Sequence, residues 1–247
     1  MAKISVDIEC IKEGLTNIGY EISDVIEREN NGINWQLKFS NSGAIITIYD
    51  SNKVNNTVVN GKLDTEEKEN LKPIVEGLKQ KELIVDPINA EIVEMIRTHK
   101  EMDYYDFKQI PHKNNDDLLH DIICLSNNIE NKDAYLILGV TDDFEVVGVD
   151  DTFNSHGFFD FIKTVSFAGD HVPDIELKKL NYKCKTIYVV VCKSSKNVPF
   201  YLDKKFKKVN PNQIYTRVGD TNTPINGNAN YEDVEALWRI HFRRENE

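Results

Sequence analysis

The sequence has only four cysteines, Cys10, Cys124, Cys184 and Cys192, and none belongs to a CxxC pair. Each sits in an apolar segment, so neither a disulfide framework nor a zinc site is signalled, and all four read as reduced core residues. Long hydrophobic runs are missing too: YLILGV (135–140) and TIYVVVC (186–192) have the length of buried strands and fall far short of a bilayer span, so no membrane role is expected. The opening MAKISVDIECIKEGL carries acids where a secretory leader needs an unbroken apolar core, which makes a cytoplasmic location the expectation. The six histidines form no HxxxH or HxH pair, and there is no Walker-type phosphate loop. No Ser/His/Asp triad can be singled out. An excess of positive charge is also lacking, with 30 Lys and Arg against 41 Asp and Glu for a net charge of −11, which argues against a protein coated in positive potential.

What is present is enough apolar residue, 40% of 247, to bury one large core or two small ones. Ile4, Ile8, Ile11, Leu15 and Ile18 recur at helical spacing; NWQLKFSNSGAIITIYD then alternates on either side of the turn residues 41–43, and NTVVNGK adds a further strand. DTEEKENLKPIVEGLKQ opens with Asp64 and acids in its first turn, as a helix start should. The first 85 residues are therefore expected to form an α-β-β-β-α module. Its strand pattern, ending in IITIYDSNKVNNTVVNGK, resembles TATA-binding-protein-like modules, which grip nucleic acid or contact a partner; a packing or dimerisation domain is the alternative.

A second domain, 86–247, is expected from Asp86-Pro87, an N-cap with proline at the first helical position. Ile88, Ile92, Met95 and Ile96 continue that helix to about His99, so Glu101 lies just past its end. The strand YYDFKQI comes next, then a helix DLLHDIICLSNNI with one apolar side, strands AYLILGV and FEVVGV, and a helix near 158–167. Strands IELKKLNY, TIYVVVC and QIYTRVGD and the helix NYEDVEALWRIHFRR complete the chain. The fold class is α+β, with the second domain a mixed, largely antiparallel α/β sheet.

Side chains alternate on the strand 104–110, so Asp106 and Lys108 share a face and are neighbours in space. An acid two residues before a lysine is either an ion pair on a strand face or the nuclease arrangement. In the latter the carboxylate binds Mg2+ or Mn2+ and the lysine orients water or neutralises developing phosphate charge. Taken in order, ExxxxDFK, the helix with DIICLSNN, YLILGVTDD, EVVGV, NVPFYL and IYTRVGDTNTP resemble the Schlafen AlbA-like domain family over about residues 95–245.

The resemblance implies a nucleic-acid-binding fold that in several members is a metal-dependent endoribonuclease acting on structured RNA such as transfer RNA. Carried over by residue, it implies Glu101 and Asp106 as the first two acids, Lys108 as the lysine, and Asp142 or Asp143 as the third acid, with the four acids as candidate metal ligands. This chain departs from the pattern at Asp106, where glutamate is usual, and at Ser126-Asn127-Asn128 in place of a small-residue loop. Asp142-Asp143 also reads simply as a polar hairpin turn.

Ten lysines lie between Lys178 and Lys208 against one acid, Asp203, a local basic stripe in an acidic chain. The candidates for phosphate contact are Lys178, Lys179, Lys204, Lys205, Lys207, Lys208 and, for its planar fork, Arg217; a solvated sheet face is the alternative for the lysines. His112 and His120 read as loop and helix polar residues. The functional expectation is a metal-dependent endoribonuclease using Mg2+ or Mn2+ on transfer or ribosomal RNA, with DNA as the other candidate substrate, in the role of a toxin or phage-defence effector. Because vertebrate Schlafen relatives fuse two copies of the domain and this chain has one, a homodimer is expected. The rival expectations are a non-catalytic binding or regulatory module and a subunit that acts with a partner protein in a defence complex.

Overall fold

The computed structural model describes residues 6–29, 33–49, 56–150 and 152–243. The first helix, α1 (Ile8–Asn17), starts where Asp7 accepts the Cys10 N–H, and α2 (Thr65–Lys79) starts where Asp64 accepts that of Glu67 at 2.6 Å. Between them four antiparallel strands run in the order β1 (Ile22–Glu29), β2 (Ile33–Phe39), β3 (Ile45–Tyr49), β4 (Thr57–Asn60). Val25, Leu37, Ile46 and Val59 pair in one row across all four strands and join Ile11, Leu15, Leu71 and Val75 in a shared core. The helix, sheet, helix order is the one anticipated, with one strand more. ISDVIERE escaped the sequence reading because it is the charged edge strand, exposed along most of its length and with little apolar alternation.

Helix α3 (Ile88–Thr98), expected to open the second domain, groups with this first unit, which runs to Thr98 and also takes in Asn181–Lys185. Those five residues are the tip of a hairpin whose turn, Lys183 at φ 45° and Cys184 at φ 66°, has the geometry that matches strand twist. Asn89, 2% exposed, holds the tip by donating to the Asn181 carbonyl at 2.9 Å and accepting the Asn181 N–H at 3.2 Å.

The second unit comprises His99–Leu180 and the chain from Thr186 onward. Its sheet has the order β5 (Tyr105–Lys108), β6 (Ala134–Leu138), β8 (Lys185–Cys192), β7 (Ile175–Tyr182). Strands β5 and β6 are parallel, joined through α4 (Asn115–Ser126), and β6 and β8 are antiparallel. Helix α4 is apolar on two sides, not one. Leu118, Ile122 and Leu125 pack on Leu136, Leu138 and Val190, while Leu119, Ile123 and Cys124 pack on Phe167, Leu202, Val209 and Tyr215.

Three expected elements shrink. The helix near 158–167 is a short 3-10 segment, Asp160–Thr164, and QIYTRVGD keeps only β9 (Arg217–Val218), paired with β10 (Thr221–Asn222). FEVVGV contributes a single bridge, Val140 to Val146. There Gly139 sits at φ +101° with the Gly148 backbone so near that a Cβ would come within 2.9 Å of it, so the chain folds back too tightly for a ladder. Helix α5 (Tyr231–Phe242), capped by Asn230, ends the described chain. Among the described residues no helix is long and apolar enough to cross a membrane, and all four cysteines are free.

Candidate active site

Strand alternation sets Asp106 and Lys108 side by side on β5, with Lys108 Nζ 2.5 Å from Asp106 Oδ2. Asp106 is buried at 2% exposure and Lys108 is half-buried. Glu101 is brought to the same place by its backbone partner: its Oε1 accepts the Phe107 N–H at 3.3 Å. Its other oxygen, Oε2, takes a 2.5 Å hydrogen bond from Arg217 Nη2, which also donates to Asp106 Oδ1 at 3.2 Å. One guanidinium thus holds both carboxylates. Two further Arg217 donors are committed as well, Nε to the Met102 carbonyl at 3.0 Å and Nη1 to Asn222 Oδ1 at 2.9 Å.

Arg217 is aimed inward by the β9–β10 hairpin. Gly219 takes φ +61° at the first position of the two-residue turn, and its N–H is captured by the Asp103 carboxylate. On the far side of the pair lies Asp121 of α4, buried, with Oδ1 accepting from Asn222 Nδ2 at 2.8 Å and Oδ2 2.8 Å from His112 Nε2. Lys108 Nζ is 3.9 Å from that same Oδ2.

The electrostatics follow from this crowding. Burial, and then the neighbouring charge of Asp106, raises the Glu101 carboxyl above the ordinary range despite Arg217. Burial opposes the charge on Lys108, but Asp106 and Asp121 outweigh it, so the ammonium is held protonated more firmly than usual. Burial likewise opposes the charge on Asp121, yet contacts with His112 and His120 and the charge of Lys108 keep it ionised well below the usual carboxylate range.

Glu101, Asp106, Lys108 and Arg217 line a cleft of about 970 Å³. Asp142 lines it too, from the tight turn that Phe144 closes onto the Thr141 carbonyl, whereas Asp143 on that turn is exposed and not part of the wall. Among the described residues no three His, Cys, Asp or Glu side chains gather into a metal cluster. The carboxylates lining the cleft are the Glu101–Asp106 pair, Asp142 and Asp220, and His99 lines it as well. Carboxylate oxygens beside an open cleft are the donor type that could hold a hard divalent ion.

The family model described as Schlafen, AlbA_2 matches residues 101–226, just over half of the chain. The chain belongs to the Schlafen AlbA_2 family. No curated protein and no solved structure matches it. Membership carries an association with nucleic-acid-related, nuclease-like function, and the match takes in Glu101, Asp106, Lys108, Asp121, Asp142, Arg217 and Asn222.

In this Schlafen AlbA_2 domain Arg217 does not face solvent as a phosphate fork. It is 2% exposed and its donors serve the acids and Asn222. Nor do the lysines make one stripe. Lys178 and Lys179 are consecutive on β7 and so point to opposite faces. Lys207 Nζ lies 3.7 Å from Asp116 and Lys208 Nζ 3.4 Å from both Asp116 and Asp117, neutralising the acidic start of α4. Lys204 and Lys205 are exposed and form no ion pair with described residues. Sequence reasoning passed over Asp121 and Asn222. The available signal was an acid inside the apolar run DLLHDIICLS, where an ionised carboxylate needs partners.

Proposed function

We propose that this Schlafen AlbA_2 chain is an endoribonuclease that cleaves structured, tRNA-like RNA in the cleft bounded by Glu101, Asp106, Lys108 and Asp142. The observation that carries the reading is the convergence of two carboxylates and a firmly protonated lysine on one open cleft. Glu101 and Asp106 would hold Mg2+ or Mn2+, which when bound supplies Lewis-acid stabilisation of charge on the phosphate, with Asp142 on the same cleft wall. Lys108 presents a fixed positive charge to a phosphate oxygen and loses little by doing so, because Asp106 and Asp121 keep it ionised. Arg217 keeps the two acids together at a separation their mutual repulsion would otherwise widen. Lys204 and Lys205 give the RNA backbone exposed, uncommitted charge to contact.

A non-catalytic nucleic-acid-binding module is the second reading, favoured by the same Arg217, which already neutralises part of the acidic pair. Purified protein incubated with transfer RNA, ribosomal RNA and DNA, with and without Mn2+, separates the two. Mn2+-dependent cleavage of RNA that disappears in Glu101→Gln supports the nuclease; binding of RNA with no cleavage under any condition supports the module.

A further inference from the structure

Five side chains from three stretches of the chain, β5, α4 and the β9–β10 hairpin, close a circuit around the cleft wall. Asp106 Oδ2 receives Lys108 at 2.5 Å; Lys108 lies 3.9 Å from Asp121 Oδ2; Asp121 Oδ1 receives Asn222 Nδ2 at 2.8 Å. Asn222 Oδ1 receives Arg217 Nη1 at 2.9 Å, and Arg217 Nη2 returns to Asp106 Oδ1 at 3.2 Å. Of these five only Asp121 does not line the cleft. We propose that Asp121 and Asn222 are positioning residues, which act through this ring to fix the Arg217 fork and the Lys108 ammonium and thereby hold Glu101 and Asp106 in register.

The chemistry of each member supports the assignment. A primary amide can accept from a guanidinium through its oxygen and donate to a carboxylate through its nitrogen, and Asn222 does both. Its orientation is therefore dictated from both sides. Asp121 has two oxygens and uses them separately, one for Asn222 and one toward Lys108 and His112, so it couples the arginine half of the ring to the lysine half. His112 occupies the remaining approach to Oδ2 and keeps the carboxylate enclosed at 7% exposure. In a ring whose members each hold two neighbours no side chain moves alone, and stiffness in the supporting partners is what keeps ligands in place.

The effect on catalysis rests on the nuclease reading; the ring itself does not, and the experiment reads them separately. In the full-length protein, NMR of the Arg217 guanidinium, assigned with Arg217→Lys, should show resolved, slowly exchanging Nη protons in the wild type that average together in Asp121→Asn and Asn222→Ala. Each variant should lower kcat on RNA by about 10- to 100-fold, the usual scale for an outer partner of a ligand, with KM little changed. The double variant should be no worse than the poorer single one, since either change opens the same ring. Folded variants that keep resolved Arg217 signals overturn the proposal, as does a double variant whose loss is the product of the two. Should Asp121→Asn fail to fold, Asn222→Ala, at a half-buried position on β10, carries the test alone. A wild-type protein that cleaves no RNA sinks the nuclease reading, and the Arg217 signals still decide the ring.

Discussion

In the N-terminal unit Glu76 of α2 is buried at 6% exposure, with Oε1 on the Thr57 hydroxyl at 2.5 Å and Oε2 3.8 Å from Lys79 Nζ. Among the described residues neither Oε2 nor that ammonium has a hydrogen-bond partner. In the C-terminal unit Asp106 and Asp121 are buried to a similar degree, but each oxygen has a partner and the cations between them are shared. Both units therefore take charge out of water, one as a loose pair on a helix flank and the other as a closed circuit on a cleft. The difference teaches how to weigh a buried charge. A pair that leaves atoms unsatisfied contributes little beyond what apolar replacements would, whereas a circuit of satisfied groups keeps several side chains in one geometry at once.

The contrast is broken most forcefully at Arg217. Arg217→Ala leaves Glu101 and Asp106 facing each other without a shared cation, and the expected loss is about 3–5 kcal/mol of stability, read by denaturant unfolding. A loss below about 1 kcal/mol would mean that the circuit is no tighter than the Glu76 pair. Next in size is Lys108→Met, which removes the charge offered to phosphate while keeping the apolar stem. Turnover on RNA should drop about 10- to 100-fold and Mn2+ binding, followed by calorimetry, should change much less; equal losses in both would reassign Lys108 to holding the ligands.

Acid stability sharpens the comparison further. Because the folded pKa of Asp121 lies below its ordinary value of 3.8, the native state holds fewer protons there than the unfolded chain. Its stabilisation is complete above that value and is lost as pH falls from there toward the folded pKa. Asp121→Asn should therefore be less stable than the wild type at neutral pH, and the gap should narrow as the melting temperature is followed below pH 3.8. A constant gap at all pH values would show that the carboxylate charge is not what matters. The smallest effect belongs to the N-terminal pair: Glu76→Gln with Lys79→Met should change stability by somewhere between nothing and a gain of about 1–4 kcal/mol, with cleavage untouched. A marked loss would put that pair on the same footing as the circuit.

Much of this was legible in residue order. Alternation alone places Lys108 beside Asp106, the apolar spacing of α1, α3 and α4 appears where those helices are, and the first-turn acids after Asp64 mark the start of α2. The hidden parts share a physical cause, which is that their meaning depends on partners far along the chain. Arg217 next to a Gly-Asp turn looks like an exposed fork until β9 and β10 turn it onto acids more than a hundred residues earlier. Asp121 is masked by apolar neighbours on both sides of α4, and β1 is masked by the charges that protect a sheet edge. The lysine run misleads because sequence proximity is not spatial proximity: β7 splits Lys178 from Lys179, and the α4 acids draw off Lys207 and Lys208.

The central claim, that Glu101 and Asp106 form a divalent-ion site for RNA cleavage, is tested most directly by one titration. Structured RNA is incubated with wild-type protein, Glu101→Gln and Asp106→Asn across a range of Mn2+ concentrations, and initial cleavage rates are recorded. The account predicts cleavage that rises and saturates with Mn2+ in the wild type and falls by at least about 100-fold in each variant whose melting curve shows it folded. Wild-type cleavage that persists in EDTA, or a variant that cleaves at the wild-type rate, would contradict it.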